Sequence, residues 1–516
     1  MAKYFLVILI IFELNGYSQL GDSTSQPLPF HLEFQDLNYR TQISNSQIYF
    51  ADVKEVHSSV KPVISFAGDP EKSKLFYFKN VVRNQRSNYI KIYPLSDIVG
   101  GIEIGAKSKA VYTGGLGLGV DYSSNKFILS AKGLPYFASL GSRSDSIYNI
   151  YDQDIGTNRS ITNNVFYRTE LLMAFQANKF FTFSGGFGKN FFGEGYRSLL
   201  LSDNAAANPF LKIETSFAGI KYVNLYNFWR DNTVDPFNRK LDINKFSAIH
   251  YLSWNVTRDI NLSIFETVVW SGNDTLVNRG FDINYINPIV FYRPVEYGLG
   301  SSDNVLLGGN ISYKLNKHHN FYMQFILDEF LLKELKAQSR WWANKYGLQF
   351  GYKSDSFIKD SLYFQLEFNA VRPFTYSHKS SQHAYGNMNA PVAHPLGANF
   401  FELVNIMSYP KNKHRFTNKL VFASTGFDQD SISYGQDIFK SYKLRPGDFG
   451  QLMMQGVRTN ILNETFIYEY AIKSEIDLYL MASYNWRMAN NAYGTHHLHT
   501  FNIGIRSRIW NRYNDL

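Results

Sequence analysis

The chain has 516 residues, and 52 lysines and arginines against 43 aspartates and glutamates give it a formal net charge of +9. It contains no cysteine, which excludes disulfide scaffolds and zinc sites built from thiolates. Charged residues make up only 18%, below the quarter that is usual for soluble domains, while aromatic residues reach 17%. The mean hydropathy is nevertheless too polar for a bundle of membrane-spanning helices. A transmembrane β-barrel reconciles these features, because half of its strand residues face lipid and half face a polar lumen.

The first residues have the pattern of a secretory signal peptide. Lys3 precedes a short apolar run over residues 4–12, and small residues, Gly16 and Ser18, stand where cleavage is expected. The run is shorter than the roughly 20 residues that a spanning helix needs. We therefore predict a signal peptide over residues 1–18, export, and an outer-membrane location.

The next segment differs from the rest of the mature chain. Prolines at positions 27, 29 and 62 argue against a regular sheet there, whereas strands of about ten residues separated by short turns fit from about Tyr89 onward. We predict an N-terminal periplasmic segment over residues 19–85 and a barrel over residues 86–516.

Several stretches alternate between apolar and polar residues. In residues 362–370 the even positions are apolar and the odd ones are Tyr, Gln, Glu and Asn, and residues 476–486 and 501–509 behave in the same way. A period of two predicts strands and excludes helices. The acidic and basic residues on the polar faces favour a lumen over a sandwich core. A secreted β-sandwich or propeller explains the alternation equally well, but a closing strand at the C-terminal end favours the barrel.

Glycines occupy one face of a predicted strand. Gly115, Gly117 and Gly119 alternate with apolar residues, and glycine inside a strand often marks the close approach of another backbone. We expect an infolded loop or the N-terminal segment to pack against this wall. The predicted fold class is thus all-β: a transmembrane antiparallel β-barrel of about 16–18 strands with infolded loops or a plug and a short N-terminal periplasmic segment.

Long loops are the expected places of recognition, because a lipid-facing wall cannot contact a soluble partner. The candidates share a high content of Asn, Ser, Gly and Asp, which tolerate turns. They are residues 141–164, 193–209, 231–244, 377–400 and 428–450.

Four blocks at the edges of these loops resemble a known family. They are residues 188–206 (GKNFFGEGYRSLLLSDNAA), 287–293 with 303–308 (NPIVFYR, DNVLLG), 324–330 with 341–345 (QFILDEF, WWANK), and 371–378 with 393–399 (VRPFTYSH, AHPLGAN). In this order they resemble Wzi-type capsule-assembly outer-membrane proteins, in the Bacteroidota branch that includes gliding-motility RemB. The resemblance implies a monomeric barrel of about 18 strands that binds surface or capsular polysaccharide, or serves gliding motility or adhesion with surface machinery.

Sugar recognition needs aromatic faces, planar donors and carboxylates. A competing interpretation is that these side chains line the lumen and lock the loops, with the arginines paired to nearby carboxylates, because buried charges must be paired. The predicted polysaccharide-binding residues are Glu194, Tyr196, Arg197, Tyr292, Arg293, Asp328, Glu329, Trp341, Trp342, Arg372, Tyr376, His378 and His394.

The sequence gives little support for catalysis. A glycosidase needs two carboxylates about 5–9.5 Å apart, but Asp328 and Glu329 are neighbours that a strand would point to opposite faces. His378 follows a serine without a Gly-x-Ser-x-Gly elbow. His497 and His499 share a strand face but supply only half of a metal site. We predict no catalytic residue, no metal and no cofactor.

The charge of +9 would attract acidic polysaccharide and lipopolysaccharide. No basic stripe indicates nucleic acid. Our prediction is a non-enzymatic outer-membrane barrel that binds or organises surface polysaccharide. The alternatives are a passive outer-membrane channel and a barrel hydrolase acting on glycan or lipid.

Overall fold

A computed structural model describes residues 77–78, 89–139, 165–288, 303–507 and 515, apart from gaps at 125, 179, 218, 236–237, 258, 274–278, 317, 359–361 and 474–477. The predicted signal peptide, almost all of the predicted N-terminal segment, the predicted loop 141–164, Tyr292 and Arg293 lie outside the described residues. Eighteen barrel strands occur in the described part. They are β1 Tyr89–Ile104, β2 Lys109–Ser123, β3 Phe127–Ser139, β4 Val165–Gln176, β5 Phe181–Gly188, β6 Asn208–Phe217, β7 Ile220–Asp231, β8 Ile243–Asn255, β9 Ile260–Ser271, β10 Asn304–Lys314, β11 His319–Glu329, β12 Lys345–Ser354, β13 Tyr363–Val371, β14 Phe400–Lys411, β15 His414–Phe427, β16 Val457–Lys473, β17 Leu478–Asn491 and β18 Gly494–Ser507.

The strands form one closed ring. Each pairs antiparallel with the next along the chain, and β18 pairs back with β1, where Asp97 lies opposite Arg506. An ion pair of 2.9 Å between the Arg506 Nε and the Asp97 Oδ1 joins the two strands. A two-residue strand, Tyr77–Phe78, also pairs with β1. The predicted all-β antiparallel barrel is therefore confirmed, and two stacked sheets are excluded.

The alternation in the sequence sorts side chains between lumen and lipid. On β13, Gln365, Glu367 and Asn369 are fully buried inside the ring, whereas Leu366 and Phe368 are 40% exposed on the outside. The same outward exposure of large apolar side chains recurs around the ring, for example at Ile102, Leu118, Phe137, Ile264 and Leu403. A closed barrel with an apolar exterior and a polar interior spans a membrane, and the chain is an outer-membrane β-barrel.

Long connections gather at one end of the barrel and short turns at the other. Long extracellular loops and short periplasmic turns are the rule for such barrels, which orients the molecule. The sequence did not single out the connections 272–303 and 330–344, the second of which contains the short helix Leu332–Lys336. No helix in the described part has the length and apolarity needed to cross a membrane. The long connections that include described residues are 189–207, 232–242, 272–303, 330–344, 372–399 and 428–456.

The glycine face of β2 lines the lumen, as alternation predicted. A Cβ added to Gly119 would lie 2.2 Å from the ring of Tyr93, and one added to Gly115 would lie 2.4 Å from the Cβ of Tyr136. A Cβ added to Gly117 would lie equally close to the backbone of β3. Among the described residues, the nearest contacts of these glycines come from the adjacent strands β1 and β3, and the N-terminal segment, which is one of the two expected neighbours, lies almost entirely outside the described residues.

Part of the β9–β10 connection covers the outer face of the barrel. Outward side chains of β7 and β8 contact its carbonyls: the Tyr222 hydroxyl donates to Pro288 at 2.6 Å, and the His250 Nε2 lies 3.0 Å from the Asn287 oxygen. Beneath it, His250 and Glu266 are fully buried although alternation points them outward. The outer wall is therefore partly covered by protein, which simple alternation did not predict.

Candidate functional site

Two of the long loops fold into the lumen. We call residues 189–207 the first infolded loop and residues 372–399 the second infolded loop. The first carries Leu199, Leu200 and Leu201, which are 0–4% exposed and belong to one apolar core with inward side chains of β6 to β16. Phe192 stacks on Tyr251 of β8 at 4.6 Å. Apolar burial thus anchors the base of the first loop to the wall, and the predicted infolding is confirmed.

The tip of the first infolded loop, residues 194–197, is held by polar contacts instead. Both carboxylate oxygens of Glu367 accept backbone N–H groups, from Tyr196 at 2.7 Å and from Arg197 at 3.1 Å. Gln349 donates to the Arg197 carbonyl at 3.1 Å. Glu367 of β13 and Gln349 of β12 therefore fix the backbone of the tip together.

Arg197 makes the central ion pairs of the lumen. Its Nη2 lies 2.9 Å from Asp515 and 3.3 Å from Glu402 of β14, and all three side chains are nearly inaccessible to solvent. The Tyr196 hydroxyl donates to the other oxygen of Asp515 at 2.5 Å. We call Tyr196, Arg197, Glu402 and Asp515 the tip cluster. Because buried charges require partners, each charged member depends on the others.

The glycines of the tip are required by close packing. A Cβ at Gly195 would lie 2.4 Å from the Glu367 carboxylate and 2.5 Å from the Arg197 carbonyl. Gly193 has a φ of +141° and faces the amide of Gln324. Glu194, between them, forms an ion pair of 2.8 Å with Lys353 of β12.

The second infolded loop is tied both to the wall and to the first loop. The ammonium group of Lys245 on β8 donates to the carbonyls of Ser381, Ala384 and Gly386 at 2.7–3.1 Å. The hydroxyls of Tyr376 and Tyr385 donate to consecutive carbonyls of the first loop, at 2.8 and 2.7 Å. The two loops therefore form one body inside the barrel.

Asp328 and Glu329, which a regular strand would point apart, both reach one lysine. The β11–β12 pairing shifts register here, and Lys345 lies 3.7 Å from Asp328 and 2.9 Å from Glu329. Asp328 also accepts the N–H of Tyr376 at 2.9 Å. Glu194 pairs with a different lysine, Lys353.

The two tryptophans lie in the extracellular loops. The Trp342 ring lies 4.1 Å from the Arg445 guanidinium and 4.8 Å from the Tyr442 ring, and the backbone N–H of Trp342 donates to the Asp448 carbonyl of the β15–β16 loop. Arg372 donates to the Trp341 carbonyl at 3.4 Å. These contacts hold one extracellular loop against another.

The two histidines of the second infolded loop have different environments. His394 lies 2.7 Å from Glu402 and extends the tip cluster. His378 packs against His383 and Tyr442 in the outer part of the loop. Burial, together with the charges of His383, Lys345 and Lys379, lowers the pKa of His378 to about 3. Its imidazole is thus neutral at ordinary pH.

Replacing His378 by glutamine is expected to reduce the acid sensitivity of the barrel. Below pH 6.5 the unfolded chain binds a proton at His378 that the folded chain refuses until about pH 3. The neutral His378 therefore contributes fully to the free energy of unfolding above pH 6.5. This contribution is lost as the pH falls below 6.5, by up to about 1.4 kcal/mol per pH unit. Urea unfolding in detergent from pH 8 to pH 4 measures it, with His497→Gln, at an exposed site, as control. Equal slopes in wild type and His378→Gln would refute the assignment.

The described residues bring the predicted ligand-binding side chains together in three groups rather than one. Glu194, Tyr196, Arg197 and His394 lie at the loop tip, Asp328, Glu329 and Tyr376 lie near Lys345, and Trp341, Trp342, Arg372 and His378 lie in the outer loops. The competing interpretation, that such residues lock the loops in place, agrees with the contacts described above. The partners of Arg197, however, are Glu402 and Asp515, and not Glu194, Asp328 or Glu329 as the sequence suggests. No group of three or more metal-ligating side chains occurs in the described part.

The sequence did not identify the residues that receive the tip. These residues come from three strands, β12, β13 and β14, and from the C-terminal end: Gln349, Lys353, Glu367, Glu402 and Asp515. The available signal was weak: alternation placed Glu367 on a polar strand face, but nothing in the sequence indicates which loop it meets.

Comparisons with known proteins identify no family for the chain. No protein-family model matches, and no curated protein matches. Among solved structures, the chain is similar to OprD of Pseudomonas aeruginosa, at 10% identity over 82% of this chain and 96% of that chain with a TM-score of 0.42. It is also similar to OpdQ of the same organism (8%, 81% and 96%, TM-score 0.43) and to OccAB2 of Acinetobacter baumannii (8%, 80% and 96%, TM-score 0.42).

These findings correct the family that the sequence blocks indicated. The solved structures named above are OprD and Occ proteins and not Wzi-type proteins, and no model of a capsule-assembly family matches. The identification as a Wzi-type or RemB-like protein is wrong, and the predicted binding of capsular polysaccharide and the gliding role are withdrawn with it.

Proposed function

We propose that the chain is a passive, non-enzymatic outer-membrane channel for small polar solutes, whose lumen is restricted by the two infolded loops. A passive channel is one of the two alternatives to polysaccharide binding that the sequence leaves open; the other is a barrel hydrolase. The transport activity of the proposed channel depends on movement of the tip of the first infolded loop.

The observation that supports the proposal is the contrast between the base and the tip of that loop. The base is anchored by apolar burial of Leu199–Leu201, which water cannot replace. The tip is held by ion pairs and hydrogen bonds to Glu367, Glu402 and Asp515, which water or a polar solute can replace. A tip with exchangeable contacts on a fixed base is the arrangement that a gated passage needs.

The wall behind the tip is suited to a hydrated path. Gln349, Glu367 and Asn369 are inward neighbours on β12 and β13 and bind one another or the tip, and the inward Gln365 binds the hydroxyls of Tyr322 and Tyr363. A barrel that served only as an anchor would gain more stability from apolar side chains at these positions, since buried polar groups are costly unless fully paired. Displacing the tip would expose a continuous polar surface.

Asp515→Asn is expected to raise the permeability of the barrel. It removes one charge from the tip cluster without altering either loop, so that the tip is released more often. Swelling of proteoliposomes in solutions of amino acids and small sugars measures the effect, and Asp430→Asn, in an exposed extracellular loop, is the matched control.

Faster swelling of the Asp515→Asn vesicles, with wild-type rates in the control, would support the channel. If both variants fold and neither the Asp515→Asn nor the Asp430→Asn proteoliposomes admit any solute, the proposed channel is overturned. Folding is checked by resistance of the barrel to unfolding in cold detergent.

A further inference from the structure

A depression lined by both polar and apolar residues lies at the extracellular rim, on the outside of the ring. Its volume is about 470 Å³, and it lies where β16 and β17 meet the loop that follows β15 and the turn before β18. The polar side chains that line it are Gln429, Arg458, Asn460, Asn490, Asn491 and Tyr493.

The pairing of the strands sets the position of this depression. Asn460 lies opposite Asn490, and both alternate with buried inward residues such as Ile461 and Ala489. Ten residues of β16 separate Asn460 from Tyr470 near the periplasmic end. At about 3.3 Å per residue and a tilt of about 40°, they span roughly 25 Å along the membrane normal, the height of the apolar band. The depression is therefore at the level of lipid head groups in the outer leaflet.

The lining is cationic and rich in amides. Arg458 donates through Nε to the Ser424 hydroxyl at 3.3 Å, and no carboxylate of the described residues forms an ion pair with its guanidinium. Other arginines of the barrel wall are paired, such as Arg506 with Asp97. The lining contains four amides and no carboxylate, and the Tyr493 ring is 73% exposed. A planar guanidinium suits a phosphate, and amides suit hydroxyl groups.

We propose that this depression binds the phosphorylated head group of an outer-leaflet glycolipid. The surface beneath it continues with outward apolar side chains, Phe422, Leu462 and Met488, which pair across β15, β16 and β17. A ligand that is anionic at the rim and apolar below it fits this surface along its whole length, whereas free phosphate fits only the upper part. The inference does not depend on the proposed channel.

The test is native mass spectrometry of the delipidated barrel titrated with a bis-phosphorylated diglucosamine lipid. Arg458→Gln is expected to weaken binding roughly tenfold or more, the effect of losing a charge-assisted hydrogen bond. Arg340→Gln, at an exposed loop position, is the control and should bind as wild type does.

Two further arms identify the ligand. In the first arm, the wild type is titrated with the same lipid without its phosphates. It should bind this lipid as weakly as Arg458→Gln binds the phosphorylated lipid. Inorganic phosphate at millimolar concentration should leave lipid binding unchanged. Equal binding by wild type and Arg458→Gln would overturn the site, and full displacement by inorganic phosphate would overturn the assignment to a lipid.

Discussion

Arg197→Gln is expected to release the tip of the first infolded loop. The substitution leaves Glu402 and Asp515 buried without their shared cation. Breaking a buried ion pair by removing one partner costs about 3–5 kcal/mol. Because the tip can leave its site without unfolding the barrel, most of this cost should appear as local opening.

Hydrogen exchange measures that opening directly. In the wild type, the backbone N–H groups of residues 196 and 197 donate hydrogen bonds to the Glu367 carboxylate. In Arg197→Gln these two amides should exchange at least a hundredfold faster, since 1.4 kcal/mol corresponds to a factor of ten. Amides of β3, remote from the loop, should exchange at the wild-type rate. Uniform acceleration across the strands would instead indicate global destabilisation, and unchanged exchange at the tip would refute the role of Arg197.

A double-mutant cycle tests whether Arg197 acts through Asp515. Residues in one ion-pair network do not contribute additively. The double variant Arg197→Gln with Asp515→Asn should therefore open no more readily than Arg197→Gln alone. Additive effects of the two changes would show that Asp515 contributes independently.

Gly195→Val is expected to expel the tip by steric clash rather than by loss of charge. The new side chain would overlap the Glu367 carboxylate, the Arg197 carbonyl and the amide of Gln349, at Cβ distances of 2.4, 2.5 and 2.9 Å. Overpacking of this kind costs about 1–3 kcal/mol. Solute entry into proteoliposomes should rise, and the midpoint of urea unfolding should fall only slightly.

Gly447→Val is the matched control, because a Cβ there meets nothing within 4 Å. It should leave both solute entry and unfolding unchanged. A Gly195→Val barrel that folds and excludes solutes as well as the wild type would contradict a removable tip.

Alternation in the sequence was sufficient to predict the barrel, because a closed sheet between lipid and a polar lumen imposes a period of two on every strand. The odd and even residues of 362–370 face the lumen and the lipid as predicted. The loop rich in Leu199–Leu201 was recognisable as a loop, and infolding was expected. Contacts between distant segments were not predictable: Arg197 meets Asp515 across 318 residues, and no local pattern encodes that pairing.

The wrong family identification has a physical explanation. The run from Gly193 to Arg197 lies in the first block that resembles that family, yet both of its glycines are required where the loop packs against Gln324, Gln349 and Glu367. A tight loop inside a polar barrel selects such glycines whatever the function of the barrel. The motif therefore reports how the loop packs, not which molecule the protein binds.

Single-channel recording of wild type and Arg197→Gln in planar bilayers tests the central claim most directly. An ion-paired loop tip that restricts a polar lumen predicts small or brief current steps from the wild type and larger, longer-lived steps from the variant. Two folded proteins that are equally silent, or that conduct equally at every voltage, would contradict it.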